Sequence, residues 1–304
     1  MRMRRGLGRG CLSLVALLLW LGRAEAQELE LRTYSNAPSG VNFIASGYSY
    51  SRGNVLLDPS LPIEDARAEV HSAFVRYART FGVFGKAAKL KVVLPLSDGT
   101  WKGLVDGVER ERQTSGLGDM RATLEVNFLG APALSPREFA DYRQKTIVGA
   151  SLGVTAPTGG YDDERLINLG SNRWGVRGEV GVSRAFGHFI LEGAGEIWYY
   201  TDNEDLLGST LSQDPFYALK VDAIYSISPG FWFGIVVGRG QGAQSTVNDV
   251  PRDTEQRTWR FALAAAYALN RRQGLTLAVQ TAEPDGAGSD FDQFVLAYQY
   301  AWGF

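Results

Sequence analysis

Past residue 26, this 304-residue chain has no apolar run longer than about nine residues, Phe261 to Leu269 being an example. A helix needs about 20 to cross a bilayer, so any membrane insertion by that region has to be made with strands. Its one cysteine, Cys11, falls inside the first 26 residues, leaving the remainder without a disulfide, a thiolate nucleophile or a cysteine metal site. Histidine is nearly as scarce, at His71 and His188. There is no basic surplus either: the net charge is -2, and -6 once the first 26 residues are set aside, which argues against a nucleic-acid partner.

What those first residues do contain is an export signal. Arg2, Arg4, Arg5 and Arg9 form a basic head, Cys11 to Leu21 an apolar middle, and Ala24-Glu25-Ala26 a small-residue cleavage site. The apolar stretch is too short to remain as an anchor. Gly8, Arg9 and Gly10 do not make a lipobox for Cys11. We expect residues 1–26 to be a signal peptide, 27–41 a periplasmic lead and 42–304 one domain, since no linker or charge run divides the rest. An alternative for the lead is that it enters the domain as a plug.

Alternation is the dominant pattern in that domain. Phe294, Leu296, Tyr298, Tyr300, Trp302 and Phe304 take every second place up to the carboxy terminus, with small or polar residues between them. Met120, Ala122, Leu124, Val126 and Phe128 alternate with Asp119, Arg121, Thr123, Glu125 and Asn127. A helix would scatter those charges around its circumference, whereas a strand gathers them on one side. Similar segments near 42–51, 86–96, 146–156, 174–184, 188–201, 216–227, 256–269 and 274–281 read as strands. The strand near 65–77 has weak alternation, and that of 231–240 is apolar on both faces. Ser135-Pro136-Arg137-Glu138 begins a short helix, expected to end near Arg143.

The count is twelve strands, joined alternately by tight turns and by long polar loops such as 97–118, 157–173, 201–214 and 241–255. A soluble sandwich has no reason for that asymmetry. It predicts an all-β fold, a transmembrane antiparallel up-and-down β-barrel with the short helix on the periplasmic side. Trp174, Tyr199, Tyr217, Trp259 and Trp302, near strand ends, would form interfacial girdles. Tyr300, Trp302 and Phe304 look like the terminal signature read by the barrel-assembly machinery.

Four stretches carry a resemblance to a known family. They are Ser35-Asn36-Ala37-Pro38 with Gly40, Asn42 and Phe43; Pro157-Thr158-Gly159 with Tyr161; Asn168-Leu169-Gly170-Ser171-Asn172-Arg173-Trp174; and Tyr199-Tyr200-Thr201-Asp202-Asn203. In these the chain resembles the outer-membrane proteins named for the MetA pathway of phenol degradation. The resemblance implies an outer-membrane barrel that takes up aromatic or other small hydrophobic compounds. It assigns no substrate-binding residues.

From the alternation, the charges facing the lumen are Lys89, Lys91, Arg121, Glu125, Arg177, Glu179, Glu192, Glu196, Lys220, Asp222 and Arg260. Both signs occur, so they either pair to brace the wall or line a narrow substrate path. Twelve strands give a bore between the filled eight-stranded barrels and the open ones of about 16 strands. An enzyme of the outer-membrane phospholipase kind needs a serine beside a histidine, but His71 and Ser72 are neighbours on a strand and point to opposite faces. His188 sits beside the turn at Gly187, and no catalytic residue is expected. Asp162-Asp163-Glu164 and Asp202-Asn203-Glu204-Asp205 lack calcium-loop spacing and read as solvated loop tips, so no metal or other cofactor is expected. The expected partners are outer-membrane lipid, lipopolysaccharide, the assembly machinery and a small-molecule substrate. The other open reading is a structural or surface-interaction barrel with an occluded lumen.

Overall fold

Segments that are apolar on one face and charged on the other need a sheet that separates two environments, and closing the sheet on itself also removes its edges. The computed structural model describes residues 30–54, 63–105, 107–285 and 289–304 and has that form. In chain order its strands are β1 (Asn42–Asn54), β2 (Ile63–Val83), β3 (Lys86–Val105), β4 (Val108–Leu117), β5 (Met120–Leu129), β6 (Thr146–Ala156), β7 (Gly175–Phe186) and β8 (Phe189–Tyr200). They continue with β9 (Asn203–Leu206), β10 (Ser209–Gln213), β11 (Phe216–Ser228), β12 (Phe231–Gly242), β13 (Ser245–Val247), β14 (Val250–Pro251), β15 (Gln256–Ala268), β16 (Gln273–Pro284) and β17 (Phe291–Trp302). Twelve of them form a closed antiparallel barrel in sequence order, with β4, β9, β10, β13 and β14 outside the ring.

The barrel closes where β1 meets β17, from Asn42 opposite Trp302 to Gly53 opposite Phe291. The terminal alternation holds to Trp302 and then breaks. Gly303 turns the chain at φ +94°, where an added Cβ would lie 2.7 Å from the Gly40 carbonyl oxygen, and Phe304 stands exposed beyond the last pairing.

Outward positions form an apolar belt that includes Leu152, Val180, Leu219, Val221, Ile235 and Leu263, all exposed. Inward positions of the same strands are mostly polar or small, with Ile147, Phe216, Ile224 and Val236 as buried apolar exceptions. Trp174, Tyr199, Tyr217, Trp259 and Trp302 are exposed near strand ends, as the girdle reading requires. His71 faces outward with its Nδ1 2.6 Å from the Tyr48 hydroxyl. Ser72 pairs with Ser97 Oγ at 2.8 Å on the other face.

Some loops hold more structure than their composition suggested. Residues 97–118, expected as a loop, contain the upper half of β3 and all of β4, paired from Leu96 opposite Leu117 to Val105 opposite Val108. This hairpin extends past the last β3–β5 pair, Val93 with Arg121. With water on both faces it needs no apolar side, so its sequence reads as loop despite full pairing. The loops at 201–214 and 241–255 likewise join as a small sheet, β14-β13-β10-β9. The helix α1 (Pro136–Phe139) has its capping box, Ser135 Oγ accepting from the Glu138 amide while the Glu138 carboxylate accepts from the Ser135 amide, but it is a single turn. It stops short of Arg143, whose guanidinium instead donates to the Ala140 and Tyr142 carbonyls.

Candidate functional site

The inside of the barrel is partly filled by the chain's own residues 30–41. At the short-turn rim, Ser39 N donates to Leu134 O at 2.7 Å, Gly40 N to Thr80 O at 2.9 Å, and Thr80 Oγ1 to Pro38 O at 2.6 Å. From there the segment reaches inward to a turn at Leu31–Tyr34, in which Arg32 holds a left-handed backbone at φ 62°. A non-glycine residue keeps that conformation only when its surroundings fix it.

Tyr34 supplies the fixing. Only 1% exposed, it donates its hydroxyl to Glu179 at 2.6 Å, while Asn127 Nδ2 donates to its carbonyl at 3.3 Å. Its ring lies against Gly149 and Gly181, which face each other across β6 and β7. A Cβ on Gly149 would lie 2.6 Å from the ring, and one on Gly181 would lie 2.2 Å from it. These glycines leave the space that the phenol occupies. A Cβ on Gly234 would come within 2.4 Å of Leu31, and the Arg32 guanidinium lies over Trp232 at 5.5 Å. The apolar inner face of β12 is thus a seat for this segment.

The charged side chains anticipated for the lumen are all on inward positions, where they group by long-range pairing. Glu125 takes Lys89 at 2.7 Å and also pairs with Lys91. Lys91 pairs in turn with Glu30 of the inserted segment, and Arg76 approaches the same carboxylate at 3.5 Å. On the far side, Glu179 meets Lys220 at 3.0 Å and Arg177 at 3.8 Å, and Arg177 meets Glu196 at 3.4 Å. Glu192 and Asp222 are opposed on β8 and β11, both buried. Arg260 lies over Phe291 at 5.4 Å, apart from both groups. Arg121 faces the cavity above Glu30. Buried ion pairs of this kind add little net stability when intact, and losing one partner is costly, so they fix positions more than they strengthen the fold.

Among the described residues, two spaces adjoin the Glu30 cluster, each bounded by Glu30, Arg76 and Lys91. The one toward the long loops, about 550 Å³ with its open mouth included, is also lined by Arg121, Thr123, Thr155, Arg177 and Trp198. The one toward the short turns is lined by Phe43, Thr80, Lys89 and Gln299. The Glu30 ion pairs with Lys91 and Arg76 border both.

At the long-loop end, three of the stretches that carry the family resemblance act as a clasp. Asp119 accepts from Gly159 N at 2.9 Å and from Ser171 N and Oγ at 2.8 and 2.6 Å. Asn203 Nδ2 donates to the Tyr161 hydroxyl at 2.8 Å, and Arg173 lies over Tyr200 at 4.6 Å. These contacts hold the loop at 157–174 down against the β4–β5 junction.

Sequence reasoning did not single out Glu30, Tyr34, Arg76 or Trp198. For Trp198 the signal was present, because it shares the parity of Glu192 and Glu196. Arg76 was hidden by the weak alternation of β2. Glu30 and Tyr34 lie outside every strand, where periodicity is silent.

The barrel resembles solved ones. An outer membrane channel from Pseudomonas putida F1 matches with a TM-score of 0.77 at 20% identity, covering 90% of this chain and 100% of that one. The transport unit of the autotransporter AIDA-I from Escherichia coli matches at 0.53 with 8% identity, covering 90% of this chain and 93% of that one. The beta domain of the Bordetella autotransporter BrkA gives 0.51 and 12%, covering 87% and 100%. At such identities the likeness is one of fold. No curated protein matches the sequence. The model of the family described as "Putative MetA-pathway of phenol degradation" matches residues 36–293, which span the rim crossing, the clasp and nearly the whole wall, and the chain belongs to that family.

Proposed function

We propose that this protein is an outer-membrane channel that admits small molecules through a polar, selective lumen narrowed by its own residues 30–41. The observation that carries the reading is the pair of lumen spaces that share Glu30, Arg76 and Lys91 in their linings, with the Glu30 ion pairs bordering both. A barrel serving only as a scaffold has no need for a water-accessible lumen with charges of both signs. The outward apolar belt and girdle aromatics support lipid as the surrounding medium. The family description and the Pseudomonas putida channel support a transport role, with aromatic or other small hydrophobic compounds as cargo. On this reading residues 1–26, outside the described residues, direct export and are removed, residues 27–41 are the lead and residues 42–304 the barrel. Tyr300, Trp302 and Phe304 present the terminal signature to the assembly machinery, and the outer rim meets lipopolysaccharide.

Planar-bilayer recordings test the proposal by comparing the full processed chain with a form lacking residues 27–40. The full chain is expected to give a small conductance with ion preference, and the shortened form a conductance several-fold larger. If neither form conducts, the channel reading fails and an occluded structural barrel takes its place.

A further inference from the structure

The cavity on the long-loop side of Glu30 is lined by four cationic side chains, Arg76, Lys91, Arg121 and Arg177, against one carboxylate, that of Glu30. Three of the four cations are satisfied: Arg76 and Lys91 by Glu30, Lys91 also by Glu125, and Arg177 by Glu196. The Arg121 guanidinium has neither a hydrogen bond nor an ion pair with any described residue. A guanidinium in a confined lumen without a counter-charge calls for an anion, and its planar fork suits a carboxylate. Trp198 borders the same cavity. Trp198 is buried, stacks near Tyr200, carries the Arg177 guanidinium at 5.4 Å, and has an indole N–H that makes no hydrogen bond.

A carboxylate already occupies part of this cation cluster. Glu30 belongs to the inserted segment and not to the wall, yet it sits on Lys91 and Arg76. We propose that this cavity binds a small organic acid with a flat apolar ring. The ring would lie against Trp198, and the carboxylate would bind Arg121 and contend with Glu30 for Arg76 and Lys91. The inference rests on the channel reading and narrows its substrate class. It also makes Glu30 a built-in competitor, so removing that charge strengthens binding instead of weakening it.

The test records single channels of the full processed chain with benzoate or its neutral counterpart benzamide on both sides of the bilayer. Benzoate is expected to modulate the current in a saturable way, and benzamide at the same concentration is not. Loss of one charge-assisted contact shifts half-saturation by about tenfold. Arg121→Gln should therefore raise the half-saturating benzoate concentration by about that factor, Arg121→Lys should restore part of it, and Glu30→Gln should lower it by a similar factor. Equal responses to benzoate and benzamide, or an unchanged benzoate response in Arg121→Gln, overturn the proposal. If Arg121→Gln yields no folded barrel, the direction of the Glu30→Gln shift decides. A chain that conducts but ignores benzoate sinks this inference and leaves the channel reading standing. If the chain never conducts, the channel reading falls, and calorimetric titration of the detergent-solubilised protein with benzoate still decides the site.

Discussion

Along β11, Val221 is 60% exposed and Asp222, the next residue, is 1% exposed. The same contrast runs round the barrel, and the two faces are built on different principles. Outward side chains need only be apolar, so any one of them can be exchanged for another of its kind. Many inward side chains are held in pairs between distant parts of the chain, as with Tyr34 and Glu179 or Glu30 and Lys91, and each of these depends on its partner. The exterior is therefore set by composition at alternate positions and the interior by identity.

The largest expected effect comes from placing a charge on the permissive face. Val221→Arg, near the middle of β11, should cost about 2–4 kcal/mol in urea-dependent folding into lipid vesicles. Val221→Leu should be close to neutral. If both cost the same, the outer face is not in lipid and the contrast collapses. A smaller effect is expected inside, at the seat of Tyr34. With the ring 2.2 Å from where its Cβ would sit, Gly181→Val should displace the inserted segment while leaving the wall intact, an overpacking of about 1–3 kcal/mol. Trypsin should then cut after Arg32 much faster than in the unaltered protein. An unchanged cleavage rate would mean that the glycines do not hold the segment. Tyr34→Phe keeps the ring and removes only the hydroxyl given to the Glu179 carboxylate, so segment release should become easier by about 1.5 kcal/mol. The same protease assay, read against Gly181→Val, separates the packing share of the seat from the hydrogen-bonding share.

These two principles also explain which features could be read from the sequence. The barrel, its strand number and the inward parity of Lys89, Arg121, Glu192 and Lys220 follow from a period of two, which each strand carries by itself. The β3–β4 hairpin was missed because, with water on both sides, Glu109, Arg110, Glu111 and Arg112 have no apolar residues between them to mark a strand. The inserted segment was open as an alternative, but where it docks was hidden for another reason. Glu30 and Lys91 are 61 residues apart, and Tyr34 and Glu179 are 145 apart, so nothing local in residues 30–41 announces where they dock. The nearest available sign was the inner face of β12. Its Gly234, Val236 and Gly238 make little sense against water, and Gly234 makes good sense against Leu31.

The smallest expected effect lies at the one feature whose whole explanation is local, the capping box of α1. Its partners are three residues apart and outside the barrel wall, so the sequence alone identified them. Hydrogen bonds from the side chain and then the backbone of Ser135 hold the Glu138 carboxyl below its ordinary range. With the folded value lowered, the contribution is complete above the unfolded carboxylate value of about 4.3 and is lost as pH falls through the folded value. Amide-exchange protection of residues 136–140, corrected for intrinsic rates, should therefore stay level from pH 7 to about 5 and decline below about 4. Ser135→Ala should lower that protection a few-fold at neutral pH and flatten its decline in acid, leaving proteolysis of the inserted segment unchanged. If the alanine variant instead freed the segment, this turn would be bracing the rim at Leu134 and Ser39, and the line drawn here between local and long-range devices would have to include it.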